Sequence, residues 1–194
     1  MNMKKKIIFD DDQIIVHIPN AVSNLNVKII YVFPNPYQLI VKDVTFSSNK
    51  YYEINTVDIR KVNYFSLKKK GLKLINNLVN VDRDYFLKNT KNTEYMSIDL
   101  KKVSKLLKSR NIQNNDLKLA AYSYYYVSNT LNYSTNYALY LSNKLGYSES
   151  YIKNLTKDIF KYKYLIKNTS GTPGGILSNK TIKLLNSQKF QQIL

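Results

Sequence analysis

The spacing of apolar and polar positions changes character near the middle of the chain. The first half begins with short β-branched or aromatic runs at residues 14–18, 27–32 and 38–46. Pro19-Asn20 and Phe33-Pro34-Asn35-Pro36 separate them, so each run reads as a strand bounded by chain-breaking residues. Val44 and Phe46 alternate with Thr45 and Ser47, the pattern of a strand with one buried face. Residues 55–62 predict a short helix with Asn55 or Thr56 as its cap. Residues 64–98 offer the least pattern. Lys68-Lys69-Lys70 reads as a solvated face, and the weakly periodic stretch 79–97 reads as a linker or a mobile loop.

The second half has the helical period. Residues 100–109 and 117–131 repeat apolar positions at spacings near 3.6, the latter burying Leu119, Ala120, Tyr124 and Val127. Consecutive residues on a helix point in different directions, so Tyr124-Tyr125-Tyr126 reads as packing rather than as one stacking platform. From Tyr137 to Lys163 the chain reads as helix, glycine turn and second helix. Leu141, Leu145, Ile152, Leu155 and Ile159 are spaced to pack the pair, Gly146 marks the turn, and Ser148 is the natural N-cap. This is the pattern of a DNA-binding helix-turn-helix, whose second helix enters the major groove. Tyr164-Leu165-Ile166 then predicts a strand, residues 167–175 a Gly/Pro loop, Ile176-Leu177 a return strand, and Ser178 the cap of a further helix. The order is that of a β-wing.

Composition narrows the partners. The net charge is +17. Abundant Lys, Asn, Ile and Tyr are what an AT-rich coding sequence produces, so the total alone says little. Its distribution says more. Residues 1–99 hold 15 basic and 10 acidic groups, a net of +5, whereas residues 100–194 hold 15 and 3, a net of +12. Positive charge concentrated beside a groove-reading element is the footprint of a nucleic-acid binder. With no Cys there is no disulfide framework or thiolate metal site. No apolar run reaches the about 18 residues of a membrane span, and Ile7-Ile8-Phe9, followed by three Asp, is too short for a signal h-region. The expectation is a cytoplasmic protein away from membranes. His17 reads as a structural strand residue and Asp10-Asp11-Asp12 as solvated acids. Neither a P-loop nor a nucleophile elbow is present, so no catalytic residue, metal or cofactor is expected.

On the second helix, Ile152, Leu155 and Ile159 form the inner face. Ser150, Lys153, Asn154 and Lys157 are the expected base readers: Asn can pair bidentately with adenine, and Lys reaches guanine acceptors or phosphate. Ser148, Tyr151 and Lys161, with Lys167, Thr169, Ser170 and Thr172 of the loop, are the expected phosphate contacts, which set register without reading sequence. The loop's glycines permit close backbone approach.

Leu145-Gly146-Tyr147-Ser148-Glu149-Ser150, Tyr164-Leu165-Ile166, Gly171-Thr172-Pro173-Gly174-Gly175 and residues 177–185 together carry a resemblance. They are similar to the C-terminal winged helix-turn-helix of small, largely uncharacterised bacterial proteins of actinobacterial type. The run from Val44 to Val62 is similar to the amino-terminal half of those proteins. Ser142 stands where they have a small Ala. Thr172 and Pro173 replace their loop Arg, so a wing arginine is not carried over. The resemblance implies DNA binding.

The reading is therefore an α+β protein: a mixed, β-rich amino-terminal domain (1–98) for dimerisation or docking of a protein partner, followed by a winged helix-turn-helix (99–194). Its expected work is binding double-stranded DNA as a homodimeric transcriptional regulator, in a bacterium or on a phage or other mobile element. The alternatives are an architectural or DNA-processing adaptor, a protein-interaction winged helix, and a single-strand binder using the many tyrosines.

Overall fold

The computed structural model describes residues 7–10, 13–22, 25–48, 53–81, 83–89, 98–109, 114–130, 136–167 and 174–194. The chain is mixed α+β and divides into two compact units, Met1–Tyr95 and Met96–Leu194.

The first unit holds a four-stranded antiparallel meander: β1 (Ile7–Asp10), β2 (Gln13–Val22), β3 (Leu25–Asn35) and β4 (Gln38–Ser48), in that order across the sheet. The three expected strands are present and longer than their apolar runs. Sequence patterning missed β1, because Ile7-Ile8-Phe9 is too short to show a period. Pairing with β2 makes it a strand, with Ile7 opposite Val16 and Phe9 opposite Ile14. Three helices follow: α1 (Thr56–Arg60), α2 (Tyr64–Val81) and α3 (Arg83–Asn89). Asn55 caps α1 in a reciprocal capping box: its side chain accepts from the Val57 and Asp58 amides, while Asp58 accepts from the Asn55 amide.

The expected linker at 79–97 is corrected in part. Residues 79–81 end α2 and residues 83–89 form α3, while 90–97 lie outside the described residues. The reason is tertiary. Leu67, Gly71, Ile75 and Leu78 recur at helical spacing and are buried. With Phe86 of α3 they pack on Ile14, Val16, Ile18, Val27, Ile29 and Tyr31 of the sheet. The three lysines that obscured the period ride on α2 outside this stripe, although Lys68 is half-buried.

Tyr31 fixes the closest approach of helix and sheet. Its hydroxyl donates to the Lys68 carbonyl at 3.0 Å. A Cβ on Gly71 would stand 2.2 Å from that hydroxyl oxygen. Gly71→Ala is therefore expected to be destabilising, by about 1–3 kcal/mol for overpacking, offset in part by helix propensity worth about 1 kcal/mol. Adding Tyr31→Phe removes the colliding oxygen and should recover the loss. Urea midpoints of the two variants check this.

The second unit comprises α4 (Leu100–Ser109), α5 (Asn115–Ser128), α6 (Tyr137–Leu145), α7 (Glu149–Lys161), a short antiparallel hairpin of β5 (Leu165–Ile166) and β6 (Ile176–Leu177), then α8 (Asn179–Leu185) and α9 (Gln188–Ile193). Tyr164, expected in the first hairpin strand, precedes it instead. The sequence gives α5 one apolar face, yet every residue from Leu119 to Val127 is buried, Ser123 included. It is the central helix of this unit, packed by α4, α7, α8 and β6.

Candidate nucleic-acid interface

Two caps and a glycine position α7. Asn136 starts α6 by accepting from the Ala138 and Leu139 amides. Gly146 ends it at φ 72°, with its amide on the Ser142 carbonyl at 2.8 Å. No atom lies within 4 Å of where a Gly146 Cβ would be, so the constraint is the left-handed backbone and not space. Ser148 then accepts from the Tyr151 amide at 3.2 Å and opens α7. Ile152, Leu155, Thr156 and Ile159 form the buried face.

The opposite face is the candidate surface. At about 100° per residue, Ser150, Lys153, Asn154, Lys157 and Lys161 fall within an arc of about 100°. All five are exposed, and the arc holds no acid: Glu149 and Asp158 flank it. From Ser150 to Lys161 it runs about 16 Å along the helix. It offers three cations, an amide that donates and accepts, and a hydroxyl.

Tyr151, expected to contact phosphate, turns toward α5. Its hydroxyl oxygen accepts from Lys118 Nζ at 2.6 Å, and that ammonium lies 5.3 Å from its ring centroid. The Tyr147 ring is 4.7 Å away, and the Tyr147 hydroxyl donates to the Leu107 carbonyl at the end of α4. The Tyr151 hydrogen is still available to donate. Lys118 thus joins the amino-terminal end of α7, a cation that sequence reasoning missed. It sits in a helix read as core, and its partner is 33 residues away, so no local period signals it.

The other end of α7 closes in a Schellman motif. The Lys163 amide bonds the Phe160 carbonyl at 3.2 Å and the Tyr164 amide reaches Ile159 at 2.8 Å. Lys163 takes the left-handed conformation, φ 57°, where glycine is usual. Tyr164 then becomes a junction. Its hydroxyl donates to Asp116, Lys180 stands 4.0 Å from its ring centroid, and its carbonyl accepts from the Ser178 amide and the Thr181 hydroxyl. Lys180 also lies 3.9 Å from Asp116. At the hairpin base a Cβ on Gly175, φ 155°, would meet the Ile166 carbonyl at 2.9 Å, so glycine is required there. The Gly174 amide donates to the Tyr126 hydroxyl at 3.4 Å. Lys161 and Lys167 are exposed, their ammonium groups 5.2 Å from the Tyr162 ring and 6.0 Å from the Phe160 ring. The expected contacts Thr169, Ser170 and Thr172 lie outside the described residues.

Buried hydroxyls hold this framework. Tyr122 shares a 2.8 Å hydrogen bond with Thr156 of α7, and burial pushes its phenol above the ordinary tyrosine range. Burial likewise raises Tyr126 to about 12. Among the described residues no group of His, Cys, Asp or Glu could hold a metal ion, and no helix is long and apolar enough to cross a membrane. No family profile, curated protein or solved structure matches the chain.

Two outcomes follow from this geometry. Lys163→Gly should raise stability by on the order of 1 kcal/mol, since only the left-handed penalty is relieved; the shift in thermal midpoint reads it. Tyr122 and Tyr126 have folded pKa values above their unfolded value near 10. Their contribution is therefore complete below pH 10 and lost as pH rises through the folded values, for Tyr126 toward about 12. The last part of the phenolate absorbance to appear should rise together with loss of helix, whereas ionisation of all 18 tyrosines with the helix intact would contradict it.

Proposed function

We propose that residues 99–194 form a winged helix-turn-helix that binds double-stranded DNA, with α7 as the major-groove helix and the β5–β6 hairpin as its wing. The reading rests chiefly on the acid-free arc of Ser150, Lys153, Asn154, Lys157 and Lys161, set opposite the buried face of a helix capped at both ends. In this reading Lys153, Asn154, Lys157 and Ser150 face base edges. Lys161, Lys167, the Ser148 hydroxyl and the Lys118–Tyr151 pair face phosphates. The protein acts in the cytoplasm as a transcriptional regulator without catalysis or cofactor. It works as a homodimer, because one helix in one groove gives little specificity and two half-sites are the usual remedy. The resemblance to small bacterial winged-helix proteins belongs to the same proposal.

A salt titration against random duplex and against DNA flanking the protein's own gene tests it. The wild type should bind with log affinity falling steeply in log salt. Replacing Lys153, Asn154 and Lys157 together by Ala should lower the magnitude of that slope by about 2, since two cations are lost. It should also abolish any preference for the flanking DNA. Equal affinity for both DNAs favours an architectural role. Absence of duplex binding at low salt, or full affinity in the triple variant, rejects α7 as the reading helix.

A further inference from the structure

A second helix of this unit, α4, carries a row of cations of its own. Four of its ten residues are lysines and none is acidic. Val103 and Leu107 are buried, whereas Lys101, Lys102, Lys105 and Lys108 are all exposed. At about 100° per residue, Lys101, Lys105 and Lys108 fall within an arc of about 60°, with Lys102 to one side of it.

This arrangement works against the helix that bears it. Lys101 and Lys105 are four residues apart, and Lys105 is three from both Lys102 and Lys108, spacings at which like charges repel. Lys101 and Lys102 also stand in the first turn, where the helix dipole disfavours cations. Of the four, Lys108 in the last turn is favourably placed. Asp99 accepts from the Lys101 amide at 2.8 Å and offsets part of the charge at the helix start. The rest is uncompensated within the helix, and with all four side chains exposed it is not repaid by packing.

The carboxyl-terminal end of α4 is tied to the start of α7. The Tyr147 hydroxyl donates to the Leu107 carbonyl, and the Tyr147 ring lies 4.7 Å from that of Tyr151. Tyr151 is about 100° from exposed Ser150 on one side and about 100° from buried Ile152 on the other. It therefore projects from the flank of α7, and Lys118, bonded to its hydroxyl, lies on the same flank. A helix seated in the major groove has a sugar–phosphate backbone along each flank. With α7 in the groove, the end of α4 that carries Lys108 stands on a side where a backbone passes. Lys105 and Lys101 continue the row from there for about 10 Å along the helix. Tyr124, bonded to both backbone groups of Ile98, holds the approach to the other end of α4. We propose that the lysine row of α4 is a second phosphate-binding surface. It takes the duplex backbone beside the groove read by α7 and adds affinity without reading sequence. The inference rests on α7 being the major-groove helix.

A salt titration of duplex binding with Lys101→Gln, Lys105→Gln and Lys108→Gln combined tests it, since Gln removes the charge and keeps helix propensity. The variant should lower the magnitude of the salt slope by about 3. It should weaken binding to random and flanking DNA by the same factor, so that any preference between them survives. Its thermal midpoint without DNA should match or exceed that of the wild type, because repulsion along α4 is relieved. Lys183→Gln with Lys189→Gln, at exposed positions of α8 and α9, is the control and should leave the slope nearly unchanged. A wild-type slope in the α4 variant overturns the inference while the reading of α7 stands, as does an equal loss per lysine in the control. A lowered midpoint without DNA assigns the row to the fold and overturns it too. A wild type that binds no duplex at low salt removes the reading of α7 and this inference with it.

Discussion

The second unit depends on one constraint: a buried tyrosine must place a hydroxyl as well as a ring. Filling the interior with Tyr where Leu or Phe would serve gives large apolar surface, but each phenol left without a partner costs about 1–3 kcal/mol. The arrangement meets this condition throughout, and no buried side-chain polar atom among the described residues lacks a partner. From the single helix α5, Tyr122 bonds Thr156 on α7, Tyr124 exchanges bonds with both backbone groups of Ile98, and Tyr126 receives the Gly174 amide. One helix thereby reaches α7, the approach to α4 and the hairpin base through directional bonds. Apolar contacts alone permit sliding between near-equivalent packings. Hydroxyls at fixed partners make such slides costly.

That directionality sets the height and rotation of α7. Thr156 is tied to α5 near its middle. Its start is held by the Ser148 cap and the Tyr147–Tyr151 contact, and its end by the Schellman turn. Rotation by one residue, about 100°, would break the Tyr122–Thr156 bond and carry Lys153 and Lys157 off the solvent arc together. The side chains proposed to read bases are thus free at their tips on a rigid axis. A reading surface needs that combination, because base-edge hydrogen bonds are lost over a fraction of an ångström.

What the sequence disclosed divides along the range of the interactions. Gly146, Ser148, Asn55 and Ser178 were legible because a cap acts within three residues. The elements missed were those whose cause lies elsewhere in the chain. β1 is a strand because β2 runs beside it. α2 and α3 are fixed by a sheet whose strands all precede them in the chain, and the space for Gly71 in mid-helix is set by Tyr31 of β3. Lys118 became part of the α7 surface only through a contact across helices. The candidate arc itself was readable, since Ile152, Leu155 and Ile159 define its opposite face.

An AT-rich coding sequence would account for the lysine content, but not for the arrangement of lysines on α7. Lys153, Lys157 and Lys161 follow one another at four-residue spacing, where like charges repel by a few tenths of a kcal/mol per pair. A helix shaped only for solubility and stability would interleave acids there, since Glu at the same spacing turns the repulsion into a gain of similar size. The acids of α7 instead stand outside the arc, at Glu149 in the first turn, where the helix dipole favours it, and at Asp158 beside it. Asp116, the other acid of residues 100–194, accepts from the Tyr164 hydroxyl and lies 3.9 Å from Lys180. Coding bias supplies lysines wherever a polar residue is tolerated; it does not remove acids from one face of one helix. Glu149, four residues before Lys153, and Asp158, three before Lys161, offset part of this repulsion from the edges of the arc, and a row of phosphates along a groove would offset the rest, which is the physical argument for a polyanionic partner on α7.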